Sequence, residues 1–187
     1  MTLCTGDASA RHSYRHRKVR LGMTSVTLMT LTQHDNSEDA LDLATRAADY
    51  AVLEIGHAPD DAYIHDFFTA TPPDLGPDCL LHYGVMQGTA MTGMLAIARG
   101  YEYPDDWWIG LMLMDPAFRG QGIGHTIVSD IKARASDANA ATIKLAVLTA
   151  NPRAVKFWKR EGFVHHRDAP ALPGSDGHDR VVLKHTL

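Results

Sequence analysis

A dense run of glycines at residues 119–124 is the part of this sequence best suited to chemistry. It reads RGQGIG and lies between an apolar stretch, Ile109 to Met114, and a segment with helical apolar periodicity. Glycines let backbone N–H groups converge without interference from Cβ atoms, and the start of the following helix is electropositive. A strand, a loop and a helix in this order predict an anion site, and a diphosphate is the natural ligand.

Two common nucleotide sites fit this loop poorly. A P-loop has Lys and then Ser or Thr after its last glycine, whereas His125 follows Gly124 here. A Rossmann fingerprint reads GxGxxG and needs an acidic residue about 20 positions further on. This loop reads GxGxG, and the next strand, Ile143 to Leu148, leads into Thr149. The sequence therefore argues against ATP and dinucleotides.

The glycine loop resembles the acyl-CoA-binding signature of the GNAT superfamily of N-acetyltransferases. That signature is Arg or Gln, two residues, Gly, one residue, then Gly or Ala, and Arg119, Gly122 and Gly124 occupy its fixed positions. The preceding strand ends in Met114-Asp115-Pro116, similar to the apolar residue, any residue and Pro that are common in the family.

A second block, LAVLTANPRAVKFWKREGF at residues 145–163, is similar to the family's next strand and helix. The resemblance covers residues 80–187 closely and the first half of the chain in outline. It implies an α+β fold, with a mixed and mostly antiparallel central sheet of about six or seven strands flanked by about four helices. It also implies acetyl-CoA as co-substrate and no metal.

In such a fold, acetyl-CoA occupies a V-shaped gap between two central strands, and the acceptor amine attacks the thioester directly. The residues expected to bind CoA are Met112, Leu113, Met114, Arg119, Gly120, Gln121, Gly122, Ile123, Gly124, His125, Asn151, Phe157 and Trp158. The backbone N–H of Met114 is the expected oxyanion donor. The methionine side chains themselves are typical of a strand core. Asn151 is also a plausible helix N-cap before Pro152.

Trp158 stands where many family members have a tyrosine that protonates the departing thiolate. An indole N–H donates a hydrogen bond but does not titrate usefully, so no general acid is assigned. For the general base, Glu54, Asp115 and Glu102 are the candidates by position. None has a motif that singles it out, and an acid in such a position is usually a solvated surface residue. The eleven histidines include no HExxH, and no metal site is predicted.

Residues 34–106 contain fourteen Asp and Glu residues against only Arg46 and Arg99. Because this part of the fold borders the acceptor side, its negative charge favours a cationic amine. Aromatic residues expected to contact the acceptor are Tyr50, Tyr101, Trp107 and Trp108. The alternative is a solvated acidic face with aromatics in the core. Polyamine, aminoglycoside-like, amino-acid and peptide acceptors all remain open.

The predicted function is N-acetyl transfer from acetyl-CoA to a primary amine of a small-molecule or peptide acceptor. The alternative is an acyl-CoA-binding sensor that has lost catalysis. Residues 1–22 form a basic arm, with five of the eighteen Lys and Arg between Arg11 and Arg20, and residues 23–187 form one domain. A nucleic-acid partner is not expected, because the net charge is −4 and no basic domain accompanies the arm.

The composition is typical of one compact domain of 187 residues, 45% hydrophobic and 21% charged. No apolar run is long enough to span a membrane, and the N-terminus has no apolar h-region, so a cytoplasmic protein without a membrane partner is expected. The two cysteines are too few for a disulfide framework, and reduced thiols are expected. A homodimer is common in the resembled family.

Periodicity and turn residues predict the order β, α, α, three strands, α, β, α, β. The predicted strands are Ser25–Thr32, Leu80–Met86, Ala90–Ala98, Trp107–Met114, Ile143–Leu148 and Arg180–Thr186. The first two helices are predicted at Ala40–Leu53, with Ser37 as N-cap and Gly56 as its end, and at Pro59–Thr69.

Overall fold

Within the part of the chain that the structure describes, one mixed sheet of eight strands forms the centre, in the order β1-β2-β3-β4-β5-β6-β8-β7. The computed structural model describes residues 19–21, 24–171 and 177–187. The strands are β1 (Val19–Leu21), β2 (Thr24–Thr30), β3 (Leu80–Gln87), β4 (Ala90–Arg99), β5 (Asp106–Met114), β6 (Thr142–Leu148), β7 (Val164–Ala169) and β8 (Arg180–Thr186). Neighbouring strands are antiparallel except β5 and β6, which are parallel. The predicted fold class is confirmed.

Five α-helices in the described residues cover the two faces of this sheet. They are α1 (Gln33–Arg46), α2 (Ala48–Ile55), α3 (Asp61–Thr69), α4 (Ile123–Asp137) and α5 (Pro152–Arg160). Helices α4 and α5 pack on one face around Ile127, Ile131 and Phe163, all 2% exposed or less. Helices α1 and α3 pack on the other face around Leu43 and Phe67. The sheet therefore has a separate hydrophobic layer on each of its faces.

The first predicted helix is divided in two, which accounts for five helices where about four were expected. Helix α1 begins earlier than predicted, because Thr32 caps it by accepting a hydrogen bond from the backbone N–H of Asp35. Ser37 lies inside the helix and donates its hydroxyl to the Gln33 carbonyl, so it is not the cap. The chain breaks at Ala47 and continues as α2. Gly56 ends α2 with φ of 80°, as predicted.

Strands β5 and β6 separate after a short paired region. Residues Asp106–Ile109 pair with Thr142–Leu145, and the pairing ends there. Beyond that point β5 stays paired with β4 as far as Met114, and β6 stays paired with β8 as far as Leu148. The result is a V-shaped gap between β5 and β6, and each of these strands stays paired with another strand on its far side.

A β-bulge lies where the gap begins. On β4, Ala96 is opposite Leu111 and Ile97 is opposite Ile109, so Gly110 is the extra residue of β5. Before the bulge, Trp107 and Ile109 pack in the core under α4 and α5. Trp107 is only 4% exposed. The expectation that Trp107 contacts the acceptor is therefore not supported, because its side chain belongs to this core.

Two strands were not predicted from the sequence. Strand β7 is polar and almost wholly exposed, so it has none of the apolar alternation that marks a half-buried strand. Strand β1 is a three-residue segment at the end of the basic arm. The rest of the arm, residues 1–18 and 22, lies outside the described residues.

Cys79 is 2% exposed and disulfide-bonded, so the expectation of reduced thiols does not hold for it. The other cysteine, Cys4, is outside the described residues. None of the helices in the described ranges is both long and apolar enough to cross a membrane.

Candidate active site

The gap between β5 and β6 is a cleft open to solvent. Its lining comprises Tyr50 of α2, Ile109–Met112 of β5, Leu145–Leu148 of β6, and Asn151, Ala154 and Trp158 at the start and middle of α5. Gly110 and Ala146 are exposed although both belong to central strands. The backbone of β5 beyond Ile109 therefore faces the cleft, where its amide groups can bond an extended ligand.

Only part of the expected oxyanion stretch lines the cleft. Met112 does, whereas Leu113 is 3% exposed and packs in the core on the α1 side. The carbonyl of Met114 accepts a 2.9 Å hydrogen bond from Arg119 Nε. The β5 amides nearest the cleft are thus at Gly110–Met112, and the assignment of the donor to Met114 stays a prediction.

The glycine loop follows β5 and starts α4. Gly120 has φ of 79° and Gly122 has φ of 81°, and Gly122 is the N-cap of the helix. Both conformations are left-handed, which side chains with a Cβ disfavour. Ile123 is 3% exposed, so its side chain anchors the loop in the core and only its backbone can reach a ligand. The loop and the helix N-terminus together offer N–H groups to an anion.

Gly124 is required for its small size, whereas Gly120 and Gly122 are required for their backbone conformation. A Cβ built on Gly124 would lie 3.1 Å from the Phe157 ring and 3.5 Å from Met112 Cε. Phe157 of α5 therefore sets the close approach of α4 to α5. The predicted contact between Phe157 and CoA is accompanied by this packing role.

Arg119 ties the loop to the rest of the molecule. Its Nη1 and Nη2 atoms donate to the two carboxylate oxygens of Asp49 at 2.5 and 2.8 Å. Hydrogen bonding to Arg119 lowers the pKa of Asp49. Because Asp49 lies beside the cleft residue Tyr50 on α2, this bidentate pair joins the glycine loop to the opposite wall of the cleft.

His125 follows the glycine loop, and Gln121 lies within it. Nδ1 of His125 lies 2.7 Å from Oε2 of the buried Glu161, while 69% of the His125 side chain is exposed. Gln121 Nε2 donates to the Ala117 carbonyl at 2.8 Å. Both side chains are therefore oriented by protein partners, and their contact with CoA stays a prediction.

Asn151 and Trp158 present α5 to the cleft. Oδ1 of Asn151 accepts a 3.0 Å hydrogen bond from the Ala154 N–H, so Asn151 is the N-cap and lines the cleft as well. Trp158 is 7% exposed and packs edge-on between Phe157 and Phe163, with ring centroids 5.0 and 5.1 Å away. This tight packing is consistent with a structural part for Trp158 at the cleft wall.

Of the three candidate bases, Glu54 lies next to the cleft. Its Oε1 accepts a 3.0 Å hydrogen bond from the Tyr50 hydroxyl, and its Oε2 accepts one of 3.3 Å from the Tyr63 hydroxyl. Burial raises the pKa of Glu54, and it also raises the pKa of each tyrosine. A carboxylate with a raised pKa beside a cleft is suited to proton transfer near neutral pH.

The sequence profile of the acetyltransferase (GNAT) family matches residues 49–163, which include the glycine loop, both cleft strands and α5. The chain belongs to the GNAT acetyltransferase family. It is therefore an acetyltransferase enzyme, as the resemblance implied. The sequence matches no curated protein.

Solved structures share the GNAT fold. An acetyltransferase from Thermus thermophilus is 19% identical with a TM-score of 0.71, over 87% of this chain and 97% of that one. The GNAT domain of S. lividans PAT is 20% identical with a TM-score of 0.67, over 94% and 98%. The ribosomal-protein-S18-alanine N-acetyltransferase of Escherichia coli is 16% identical with a TM-score of 0.63, over 86% and 93%. At these identities the likeness concerns the fold.

Asp115 is a structural carboxylate in this GNAT domain. It accepts hydrogen bonds from Arg46 Nε at 2.7 Å and from the Ala117 N–H at 2.8 Å. Burial alone would raise the pKa of Asp115, but these donors and the charge of Arg46 outweigh it and lower the pKa. A carboxylate held ionised by an arginine is a weak base, so this candidate is not supported.

Glu102 belongs to an ion cluster at the paired end of β5 and β6. Lys144 Nζ donates to Glu102 Oε2 at 2.8 Å and to Asp106 Oδ2 at 2.6 Å, and Arg167 donates to Glu102 Oε1 at 2.8 Å. Burial opposes ionisation of Glu102, but the two cations prevail and lower its pKa. Glu102 is therefore a poor base, and it lies where the strands are paired instead of where they separate.

We expect Lys144→Met to lower the free energy of unfolding by about 3 to 5 kcal/mol, because it leaves the buried carboxylate of Asp106 without its cation. Lys144 and Asp106 side chains are each 4% exposed, so water replaces the lost ammonium poorly. Denaturant unfolding measures the change. Lys184→Met is the matched control, since Lys184 lies directly opposite Lys144 on β8 but is only partly buried. Equal losses in the two variants would contradict a special part for the cluster.

Tyr101 and Trp108 pack together, with ring centroids 5.2 Å apart and planes at 84°. Trp108 is opposite Lys144 in the paired region of β5 and β6. Among the four aromatics expected at the acceptor site, only Tyr50 lines the cleft. Sequence reasoning did not find Asp49 as the partner of Arg119, because the two residues are 70 positions apart.

Proposed function

We propose that this GNAT enzyme transfers the acetyl group of acetyl-CoA to a primary amine of a small-molecule or peptide acceptor by direct attack, with Glu54 accepting the amine proton through Tyr50. One observation carries the proposal. A glycine loop that starts α4 follows the cleft strand β5, and a hydrogen-bonded carboxylate, Glu54, lies behind the cleft residue Tyr50.

The residues present fit a diphosphate joined to an extended amide arm. Gly120 and Gly122 have left-handed backbone conformations at the start of α4, and N–H groups at a helix N-terminus suit a diphosphate. The β5 segment Gly110–Met112 faces the cleft beyond the region paired with β6, and its amides match those of an extended arm. Bound acetyl-CoA would supply the thioester, and Asn151 faces the same cleft from α5.

Tyr50 and Glu54 provide a path for the proton that the acceptor must lose. The Tyr50 hydroxyl donates its hydrogen to Glu54 Oε1 at 3.0 Å, so its oxygen has a lone pair for a proton from an ammonium group. As the amine nitrogen gives its proton to the Tyr50 oxygen, the phenol hydrogen moves to Glu54. Tyr50 thus carries no net charge at the end of the step, which suits its raised pKa.

The departing thiolate needs no acid from the protein. The pKa of a thiol is about 8.5, so a thiolate is a tolerable leaving group that water can protonate afterwards. Trp158 therefore need not act as the acid that protonates the thiolate. Its packing between Phe157 and Phe163 supports a structural role.

We expect saturable binding of acetyl-CoA by calorimetry, and release of CoA thiol only when an amine is added. The amine set includes amino acids, polyamines, an aminoglycoside and N-terminal peptides. Measuring both in one sample separates binding from turnover. Binding without thiol release for every amine would instead support the acyl-CoA sensor, and the absence of binding would contradict the interpretation of residues 119–124.

A further inference from the structure

The side chain of Arg180 makes no hydrogen bond or ion pair within the described part of the chain, and Arg180 pairs with the end of β6 that borders the open part of the cleft. It is the first residue of β8 and is opposite Leu148, which lines the cleft. Residues directly opposite in an antiparallel pair project to the same face of the sheet. Val181 and Leu183 pack in the core under α4 and α5, so Arg180 projects to the other face, where α2 lies.

The proton path through Tyr50 lies within electrostatic reach of this guanidinium. Burial raises the pKa of Glu54 and of Tyr50, and the charge of Arg180 offsets part of each shift. The carboxylate of the neighbouring Asp179 forms no ion pair with Arg180 in the described part of the chain, and its Oδ1 accepts a hydrogen bond from the Ala171 N–H. An acceptor that enters the cleft beside Tyr50 therefore meets a positive charge that no described side chain balances by a direct ion pair.

A simple cationic amine gains nothing from Arg180, because its ammonium group would lie near a second cation. The opposite holds for an acceptor that brings its own negative charge. A guanidinium binds a carboxylate through two parallel hydrogen bonds, which also fixes the orientation of the attached molecule. Arg180 would then hold the carboxylate while the amine faces Tyr50.

We propose that the acceptor carries a carboxylate close to its primary amine, as a free amino acid does, and that Arg180 binds this carboxylate. The inference rests on the proposed function, because it names the acceptor class of the same cleft. It selects among the classes that the sequence leaves open. Amino acids satisfy it, whereas polyamines and aminoglycosides carry no anionic group.

The test compares each of a set of amino acids with its own carboxamide. The two molecules share the side chain and the amine and differ in the negative charge. The amine of the carboxamide is less basic, so a larger fraction of it is unprotonated at neutral pH, and amine reactivity alone favours the amide. A higher kcat/KM for the acid is therefore expected only if the carboxylate is bound.

Arg180→Gln is expected to lower kcat/KM for the preferred amino acid by about 10- to 100-fold, the loss of a charge-assisted hydrogen-bonded pair, and to change the value for the amide by less than about 3-fold. Any effect of the lost charge on Glu54 acts on both acceptors and cancels in the ratio. Arg180→Lys should keep part of the preference. Lys184→Gln removes a cation from the same strand and the same face, opposite Lys144, and should leave the ratio unchanged.

The affinity for acetyl-CoA, measured on every variant, shows that the fold is intact. Equal rates for acid and amide in the unaltered enzyme, or an equal loss for both in Arg180→Gln, would overturn the assignment of Arg180 while leaving acetyl transfer standing. Thiol release with polyamines but not with amino acids would also overturn it. Failure of all amines would instead count against the proposed function.

Discussion

Replacing Gly122 by Val is expected to lower the affinity for acetyl-CoA by about 100-fold or more, because a β-branched residue disfavours the left-handed backbone that the loop requires. Gly122 has φ of 81° and caps α4. A change at this residue turns the loop N–H groups away from the position at which they meet a diphosphate. Calorimetric titration with acetyl-CoA measures the loss directly.

Gly100→Val is the matched control for Gly122→Val. Gly100 has φ of 82°, nearly the same as Gly122, but it lies in the turn before β5 whereas the loop follows that strand. Both variants should unfold at lower temperature, since both carry the same backbone strain. Only Gly122→Val should lose CoA affinity. If its affinity is unchanged, or falls no further than that of the control, the loop does not bind the diphosphate.

The glycine loop could be predicted because its information is local. Its turn depends on residues that require a positive φ, and the N-cap at Asn151 depends on a side chain three residues from the N–H that it bonds. Such signals lie within one stretch of sequence and can be recognised without knowledge of the rest of the fold. The matched profile, residues 49–163, includes both features.

The break between α1 and α2 could not be predicted for the opposite reason. The segment around Ala47 has high helix propensity and contains neither Gly nor Pro. Arg46, the last residue of α1, hydrogen-bonds with Asp115 and with the Met91 carbonyl, 69 and 45 positions away. The end of α1 is thus accompanied by long-range contacts, which a local sequence pattern does not contain.

The bulge at Gly110 decides which side chains of β5 share a face, and it could not be predicted from the sequence. Strict alternation along β5 would keep Trp107, Ile109 and Leu111 on one face. One extra residue reverses the alternation, so Leu111 packs on the α1 side while Trp107 and Ile109 pack on the α4 side. A glycine within an apolar run gives little sign of which residue is unpaired.

The three candidate bases look alike in the sequence and differ in their partners. Asp115 is bonded to Arg46 and Glu102 to Lys144, 42 positions away, so in each case a cation lowers the pKa. Glu54 has two tyrosine hydroxyls instead, and burial raises its pKa. Only the tertiary structure distinguishes the carboxylate that we propose as proton acceptor from the two that are paired with cations.

Glu54→Gln is expected to lower kcat by about 100- to 1,000-fold, the usual contribution of a positioned general base, while acetyl-CoA affinity stays within about 2-fold. Tyr50→Phe should cause a loss of similar size, because the proton reaches Glu54 through the Tyr50 hydroxyl. Tyr63→Phe is the matched control. It removes the other hydroxyl bonded to Glu54, at 3.3 Å, from a residue that is not among those lining the cleft.

The pH dependence of kcat/KM separates this role from a merely structural one. The base acts only when ionised, and burial raises the pKa of Glu54, so activity should rise with pH through a range above that of an ordinary glutamate. Hydrogen bonds from Tyr50 and Tyr63 favour the ionised form. Tyr63→Phe should therefore move this rise to higher pH while keeping most of the activity at its upper end. A Glu54→Gln enzyme that keeps the same rise would show that another group accepts the proton, since glutamine cannot titrate.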